Sequence, residues 1–376
     1  MKLSISSAFD AGNIEVISTD NPENIQLKIE KDSHSDFLQW FYFRMQGAKD
    51  QSCKLNIVNA GEAAYPEGWD NYQVRASYDR LRWFQVPTTY NDGVLTVDFT
   101  PEFDTVYFAY FAPFSYEQHL DLVNNAQLSP LCSLETIGET TEGRPIDFLR
   151  FGNEDKNKKN LWIISRQHPG ETMAEWFMLG LIGRILDEED PTSISLLEKA
   201  NLYMVPNMNI DGSILGNLRV NAKGVNLNRE WSTPSIENSP EVYYVKEKMR
   251  ELGMDFNLDV HGDEGLPYNF ISGIEGIPSF DAKLSKLTDD FINNWKSINQ
   301  DMQDIHGYPK NEKGKANLDI CSKNLGEEFN CLSQTLEMPF KQNDNIPDQL
   351  MGWSPERSIK LGESLVNALL SIVDDL

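Results

Sequence analysis

The chain has no apolar run approaching the roughly eighteen residues that a helix needs to cross a bilayer. Its opening, MKLSISSAFDAGNIEVIS, meets Asp10 and Gly12 before the apolar centre of a secretory leader could form. These two absences exclude a membrane partner and lead us to expect a cytoplasmic protein. Cysteine is scarce: Cys53, Cys132, Cys321 and Cys331 are the only four in 376 residues, and no two stand in a CxxC pair. So few cannot staple a chain this long, which points to free thiols in a reducing compartment. Positive charge is also short, with 33 Lys and Arg against 58 Asp and Glu, a net charge of −25. Nucleic acid is therefore excluded as a general partner. Internal repeats and low-complexity segments are missing. What is present is a 40% hydrophobic composition, enough for a large core and, at this length, about two domains.

The texture changes near residue 115. Before it, short segments rich in aromatic and β-branched residues (IQLKIE, FLQWFYFRM, CKLNIVN, YQVRASY, WFQVP, VLTVDF and TVYFAYF) are separated by turn residues, and Asn91-Asp92-Gly93 is a strong hairpin signal. They predict an antiparallel β-sandwich of seven to nine strands. After FAPFSYEQHLDLV, short apolar strands (NLWIIS, NLYMVP, MDFNLDV, SQTLEMP) alternate with helical stretches such as ETMAEWFMLGLIGRIL and the terminal SPERSIKLGESLVNALLSIV. The last opens on Ser354-Pro355 and keeps Ile359, Val366, Leu369, Leu370 and Val373 on one apolar face. The second part is therefore α/β.

Within LWIISRQHPGETMAEWFM, RQHPG is the loop between a buried strand and the following helix, the place where open α/β sheets bind ligands. His168 and Glu171 could converge there on a metal. A third ligand is sought among the other histidines. His34, His119 and His306 stand in polar contexts, whereas His261 closes the strand MDFNLDV. The plain structural alternative is a turn-capping His168 and a core His261. Further along, PNMNIDGSILGNLRVNAKGVNLNREW gathers Arg219, Asn228 and Arg229 in a loop-rich stretch. Asn-Arg is suited to clamp a terminal carboxylate, leaving Arg219 for another anion; a solvated basic turn is the alternative. Glu337 lies inside the apolar strand SQTLEMPF, where a carboxylate is costly unless it has a metal, a catalytic task or an arginine partner.

The set HPGE, NIDG, GNLRVNAKGVNLNREW, DVHGD and TLEMP resembles the zinc metallocarboxypeptidases across the whole second half. The β-rich part ending in FAYFAPFSYEQHLDLV resembles that of the cytosolic carboxypeptidase subfamily. One departure is Asn226, where relatives commonly carry an aspartate. The resemblance implies a β-sandwich over residues 1–118, then a mixed, mostly parallel, doubly wound α/β/α catalytic domain over 119–376. It further implies one Zn2+ per chain on His168, Glu171 and His261, with Glu337 as general base and Arg219 stabilising the oxyanion. Asn228 and Arg229 would hold the substrate carboxylate, and Tyr308 would be the mobile tyrosine of the family. The implied substrates are peptide or protein C-termini, with a preference for glutamate as in deglutamylases. Such a preference calls for a basic pocket, for which Lys223, Lys310, Lys313 and Lys315 are candidates. Two other readings stay open: a zinc amidohydrolase acting on N-acyl amino acids, and a non-catalytic binding protein. The sequence leaves the oligomeric state open.

Overall fold

The structure, a computed structural model, describes residues 3–153 and 155–376. Among these, ten strands before residue 110 form two five-stranded sheets, more strands than the sequence led us to expect. Ser4–Ser6, Tyr42–Gln46, Thr105–Ala109, Arg75–Ser77 and Phe84–Gln85 make one sheet, antiparallel throughout. Glu15–Ser18, Ile25–Lys28, Cys53–Ile57, Val94–Phe99 and Thr88–Asn91 make the other. In it Ile25–Lys28 and Cys53–Ile57 run parallel, an exception to the expected antiparallel pattern. Period-two alternation buries one face: Cys53, Leu55 and Ile57 are inside, whereas Lys54 and Asn56 are only partly covered. Asp92 (φ 48°) and Gly93 (φ 80°) close the expected hairpin with the paired left-handed residues that tight turns between twisted strands require.

A helix, Tyr116–Ala126, opens the second half. Ser115 and Gln118 form a reciprocal capping box at its start, so a division at 118/119 falls within the first turn. The large sheet that follows is mixed. Its centre is four parallel strands in the order Ala200–Val205, Lys159–Ser165, Phe256–Asp263 and Leu332–Pro339. Antiparallel strands flank them: Pro145–Phe151 and Cys132–Glu139 on one side, Phe270–Ser272 on the other.

Alternate residues of the central strands feed separate cores, which makes three layers. Leu161 and Ile163 join Phe177, Leu181, Leu361 and Leu365 under the helices Met173–Ile185 and Pro355–Leu370. Trp162 and Ile164 join Val242, Val245, Met249 and Leu325 under Pro240–Leu252 and Cys321–Phe329. The two helices on the first face touch backbone to backbone. A Cβ on Gly180 would lie 2.1 Å from the Ile359 carbonyl oxygen, and one on Gly362 would lie 2.0 Å from that of Phe177. All four cysteines are free thiols. No helix among the described residues is long and apolar enough to cross a membrane.

The two halves share one continuous apolar core. Arg75, 1% exposed, bolts them together by donating to the carbonyls of Phe340 (3.0 Å) and Lys341 (3.2 Å), just past the strand that carries Glu337. Tyr110 stacks on Phe340 at 4.4 Å.

Candidate active site

From Lys159–Ser165 the chain runs to its neighbour on one side, Ala200–Val205, and then to its neighbour on the other, Phe256–Asp263. That reversal opens a crevice at the carboxyl ends of the strands, the usual ligand site of such sheets. The loop leaving Ser165 enters it through Arg166, whose φ of 57° is left-handed. Its guanidinium holds the loop from behind, donating to the carbonyls of Pro169 and Phe114 (both 2.9 Å) and to the Glu175 carboxylate.

His168, Glu171 and His261 meet in this crevice, each almost fully buried, with ligand-type atoms all within 4.8 Å of one another. Glu171 bridges the two imidazoles, with Oε1 2.7 Å from His168 Nδ1 and Oε2 2.7 Å from His261 Nδ1. The two Nδ1 atoms stand only 3.2 Å apart. Two imidazole nitrogens and a carboxylate facing one point are the donor set of a catalytic zinc. His168 Nε2 lies 3.1 Å from Asn226 Oδ1, and His261 Nε2 lies 2.9 Å from Asp259 Oδ2. A proton on each of these outward nitrogens, as metal binding requires, leaves each Nδ1 lone pair directed inward. Asn226 thus supplies an oxygen acceptor without a charge. Burial, assisted by the Arg219 charge, lowers the His168 pKa from 6.5 to about 4, which keeps the imidazole neutral, the form a metal ligand takes. Asp259 is itself held: Gln167 Nε2 donates to it at 2.7 Å and Trp231 Nε1 donates to Gln167 at 2.8 Å.

Around this cluster lies a cavity of about 630 Å³ whose lining brings His168, Glu171 and His261 together with Glu337, Arg219, Asn228, Arg229 and Tyr308. Glu337 pairs in register with His261 on the adjacent parallel strand. It is 7% exposed, and its Oε2 has no hydrogen-bond partner, so the arginine-paired alternative does not hold. Burial pushes its pKa well above the usual carboxylate range; His261 opposes, and the Glu171, Asp263 and Glu264 charges add to the rise. The Arg219 guanidinium lies over the rings of Phe37 (5.7 Å) and Tyr65 (5.4 Å). Asn228 Oδ1 accepts the Cys321 amide (2.9 Å), while Arg229 donates through one Nη1 to the Asn228 carbonyl (2.6 Å). Arg229 itself lines the cavity. Tyr308 enters from its loop, with its hydroxyl donating to Asp263 Oδ2.

None of the four lysines weighed as a basic pocket lines this cavity. Lys223 donates to the Glu237 carbonyl, Lys310 pairs with Glu275 at 2.9 Å, Lys313 caps the Phe280 carbonyl, and Lys315 is exposed. The lysine that does line it is Lys323, in the helix Cys321–Phe329. It is 7% exposed, and its ammonium has no hydrogen-bond or ion-pair partner among the described residues. Burial lowers its pKa from 10.5 to about 8, with Glu275 pulling the other way. The sequence reading missed it because the length of a helix says nothing about which of its residues points into a cavity. Glu264 was missed as well; it is buried in the wall and raised to about 8 by burial and then by Glu171. Asp259 did leave a signal, a charge inside the apolar run MDFNLDV.

The comparisons with known proteins give the family. The family model described as "Zinc carboxypeptidase" matches residues 116–344, and "Cytosolic carboxypeptidase N-terminal domain" matches residues 5–111. The chain belongs to the zinc carboxypeptidase family. A metallo-carboxypeptidase from Burkholderia cenocepacia is 46% identical, with a TM-score of 0.96 and 99% of each chain covered. Another, from Pseudomonas aeruginosa in complex with (2-guanidinoethylmercapto)succinic acid, is 43% identical with a TM-score of 0.97 and the same coverage. Cytosolic carboxypeptidase 6 of Caenorhabditis elegans is 24% identical over 412 residues, spanning 98% of this chain and 86% of its own. As a zinc carboxypeptidase, the chain is a metal-dependent peptide hydrolase.

Proposed function

We propose that this carboxypeptidase removes an acidic residue, glutamate above all, from the free carboxyl end of peptides or proteins, using one zinc ion per chain. The observation that carries the acidic preference is Lys323, a side chain 7% exposed in the wall of the cavity that also holds Arg229, with no hydrogen-bond or ion-pair partner among the described residues. A largely desolvated ammonium that no ion pair takes up is costly. A substrate carboxylate entering the cavity removes that cost, and an apolar side chain does not. Ser322 and Thr335, hydrogen-bonded to each other at 2.8 Å, add polar groups beside it.

In this reading, His168, Glu171 and His261 hold the metal. Zinc, when bound, lowers the pKa of water and polarises a carbonyl. Asn228 and Arg229 hold the terminal α-carboxylate, which places the last peptide bond beside Glu337. Glu337 accepts the proton of the attacking water at Oε2, the oxygen left without a partner, and passes it to the leaving amine. Arg219 hydrogen-bonds the carbonyl oxygen as that oxygen gains charge, a role in which one donor contributes roughly 3–4 kcal/mol. Tyr308 closes over the bound chain end.

The test is a panel of short peptides that differ only in the last residue, assayed as kcat/KM. Glutamate should lead and aspartate should follow, with leucine and lysine far behind. A panel led by lysine or leucine would reject the acidic preference.

A further inference from the structure

Arg219 belongs by sequence to the second half of the chain, yet residues of the N-terminal β-domain hold it. Three consecutive amides, those of Leu218, Arg219 and Val220, donate to the single carboxylate of Asp32 at 2.6, 2.7 and 3.2 Å. Asp32 is 4% exposed and forms no ion pair among the described residues, so its charge is spent on these backbone groups. Beside it, the Ser33 amide and hydroxyl donate to Asn217 Oδ1 at 3.0 and 3.1 Å. Asn13 Nδ2 donates to the Gly216 carbonyl at 3.0 Å. On its far side the same segment reaches the metal-binding loop, where the Gly170 amide donates to the Leu218 carbonyl at 2.9 Å.

The guanidinium is held differently from the backbone. Phe37 and Tyr65, both from the β-domain, offer ring faces within cation–π range, and among the described residues no acceptor takes any of its side-chain N–H groups. A carboxylate partner would have fixed the arginine equally well, but it would have occupied the donors and neutralised the charge. Aromatic faces fix the plane and leave the donors free for an anion in the cavity.

We propose that Asp32, with Phe37 and Tyr65, is the positioning device through which the N-terminal domain presents Arg219 to the substrate's carbonyl oxygen, so that the two halves of the chain share one active site. Asp32 sets the backbone angles of residues 218–220, and the two rings set the guanidinium plane. This rests on the assignment of Arg219 to the carbonyl oxygen. A donor aimed at charge that develops during the reaction acts on the chemical step and only slightly on binding.

The test is a double-mutant cycle on the full-length, zinc-loaded enzyme, comparing Asp32→Asn, Arg219→Ala and the double variant. Asp32→Asn should lower kcat about tenfold or more, with KM within about twofold and zinc content unchanged. In the Arg219→Ala background the same change should have no further effect on kcat. If Asp32→Asn does not fold, Phe37→Leu, which leaves the backbone hydrogen bonds intact, takes its place with the same expectation. Equal losses from Asp32→Asn in both backgrounds would mean general structural damage and overturn the inference. A loss in Arg219→Ala with none in Asp32→Asn would overturn it alone. An unchanged kcat in Arg219→Ala would remove the assignment of Arg219, and this inference with it.

Discussion

His261 and Glu337 stand opposite each other on neighbouring parallel strands, paired in register at the carboxyl end of the sheet. One faces His168 and Glu171 through Nδ1 and Asp259 through Nε2, and the other carries a carboxyl oxygen without a partner. Both are held by strands, so the separation of His261 and Glu337 does not depend on a loop.

Under the proposed mechanism Glu337 moves a proton and does not bind the metal. Glu337→Gln preserves the shape and should retain zinc and the melting temperature while kcat falls by roughly 10²-fold or more. Turnover near that of the wild type in a zinc-loaded Glu337→Gln enzyme would remove the residue from the reaction.

Metal content follows from the Glu171 bridge. Elemental analysis of the purified chain should give about one zinc, and His168→Ala, which removes a neutral ligand, should lose it. Chelation should abolish activity and lower the melting temperature, since a ligand bound only by the folded state stabilises it by mass action. Undiminished zinc in His168→Ala would place the metal elsewhere.

Lys323 is the specificity prediction. Lys323→Met keeps the length of the side chain and removes its charge. It should cost about 2–5 kcal/mol in kcat/KM on a peptide ending in glutamate, the usual loss when one partner of a desolvated charge pair is removed. A leucine-ended peptide should be cleaved as well as before or better. Parallel losses on both peptides would mean that Lys323 serves the fold and not the choice of substrate.

His119 has a pH signature. It is buried, with Nδ1 2.7 Å from Glu175 and Nε2 3.0 Å from Asp147. Burial opposes its charge, but the two carboxylates outweigh it and raise the pKa from 6.5 to about 9. Because the folded state holds this proton more tightly, the contribution to stability is fully present below about pH 6.5 and is lost as pH rises through about 9. The melting temperature should fall across that window in the wild type and change less in His119→Gln. Equal slopes would mean that His119 is neutral in the fold.

His119 also marks a limit of sequence reading. Its neighbours in SYEQHLDLV are polar, yet helix Tyr116–Ala126 turns it inward onto Glu175, which also receives Arg166 from behind the metal loop. A period of 3.6 places a residue on a face but does not name what packs there. The convergence of His168, Glu171, His261 and Glu337 on one cavity was legible because each interrupts an apolar strand or its exit, where a polar group needs a reason. The places of Lys323, Asp32, Phe37 and Tyr65 around that cavity were not, because they arise only after distant segments come together. The same holds for the parallel pairing of Ile25–Lys28 with Cys53–Ile57, which no local pattern distinguishes from an antiparallel one.

The central claim is that the enzyme reads the free end of a chain, and the most direct test compares one peptide as its free acid and as its C-terminal amide. If Arg229 forks onto the terminal carboxylate, the wild type should cleave the acid and leave the amide almost untouched. In Arg229→Ala the two rates should become similar and low, and Arg229→Lys should be nearly as impaired, because a point charge does not replace a bidentate pair. Equal wild-type rates on acid and amide would contradict the account.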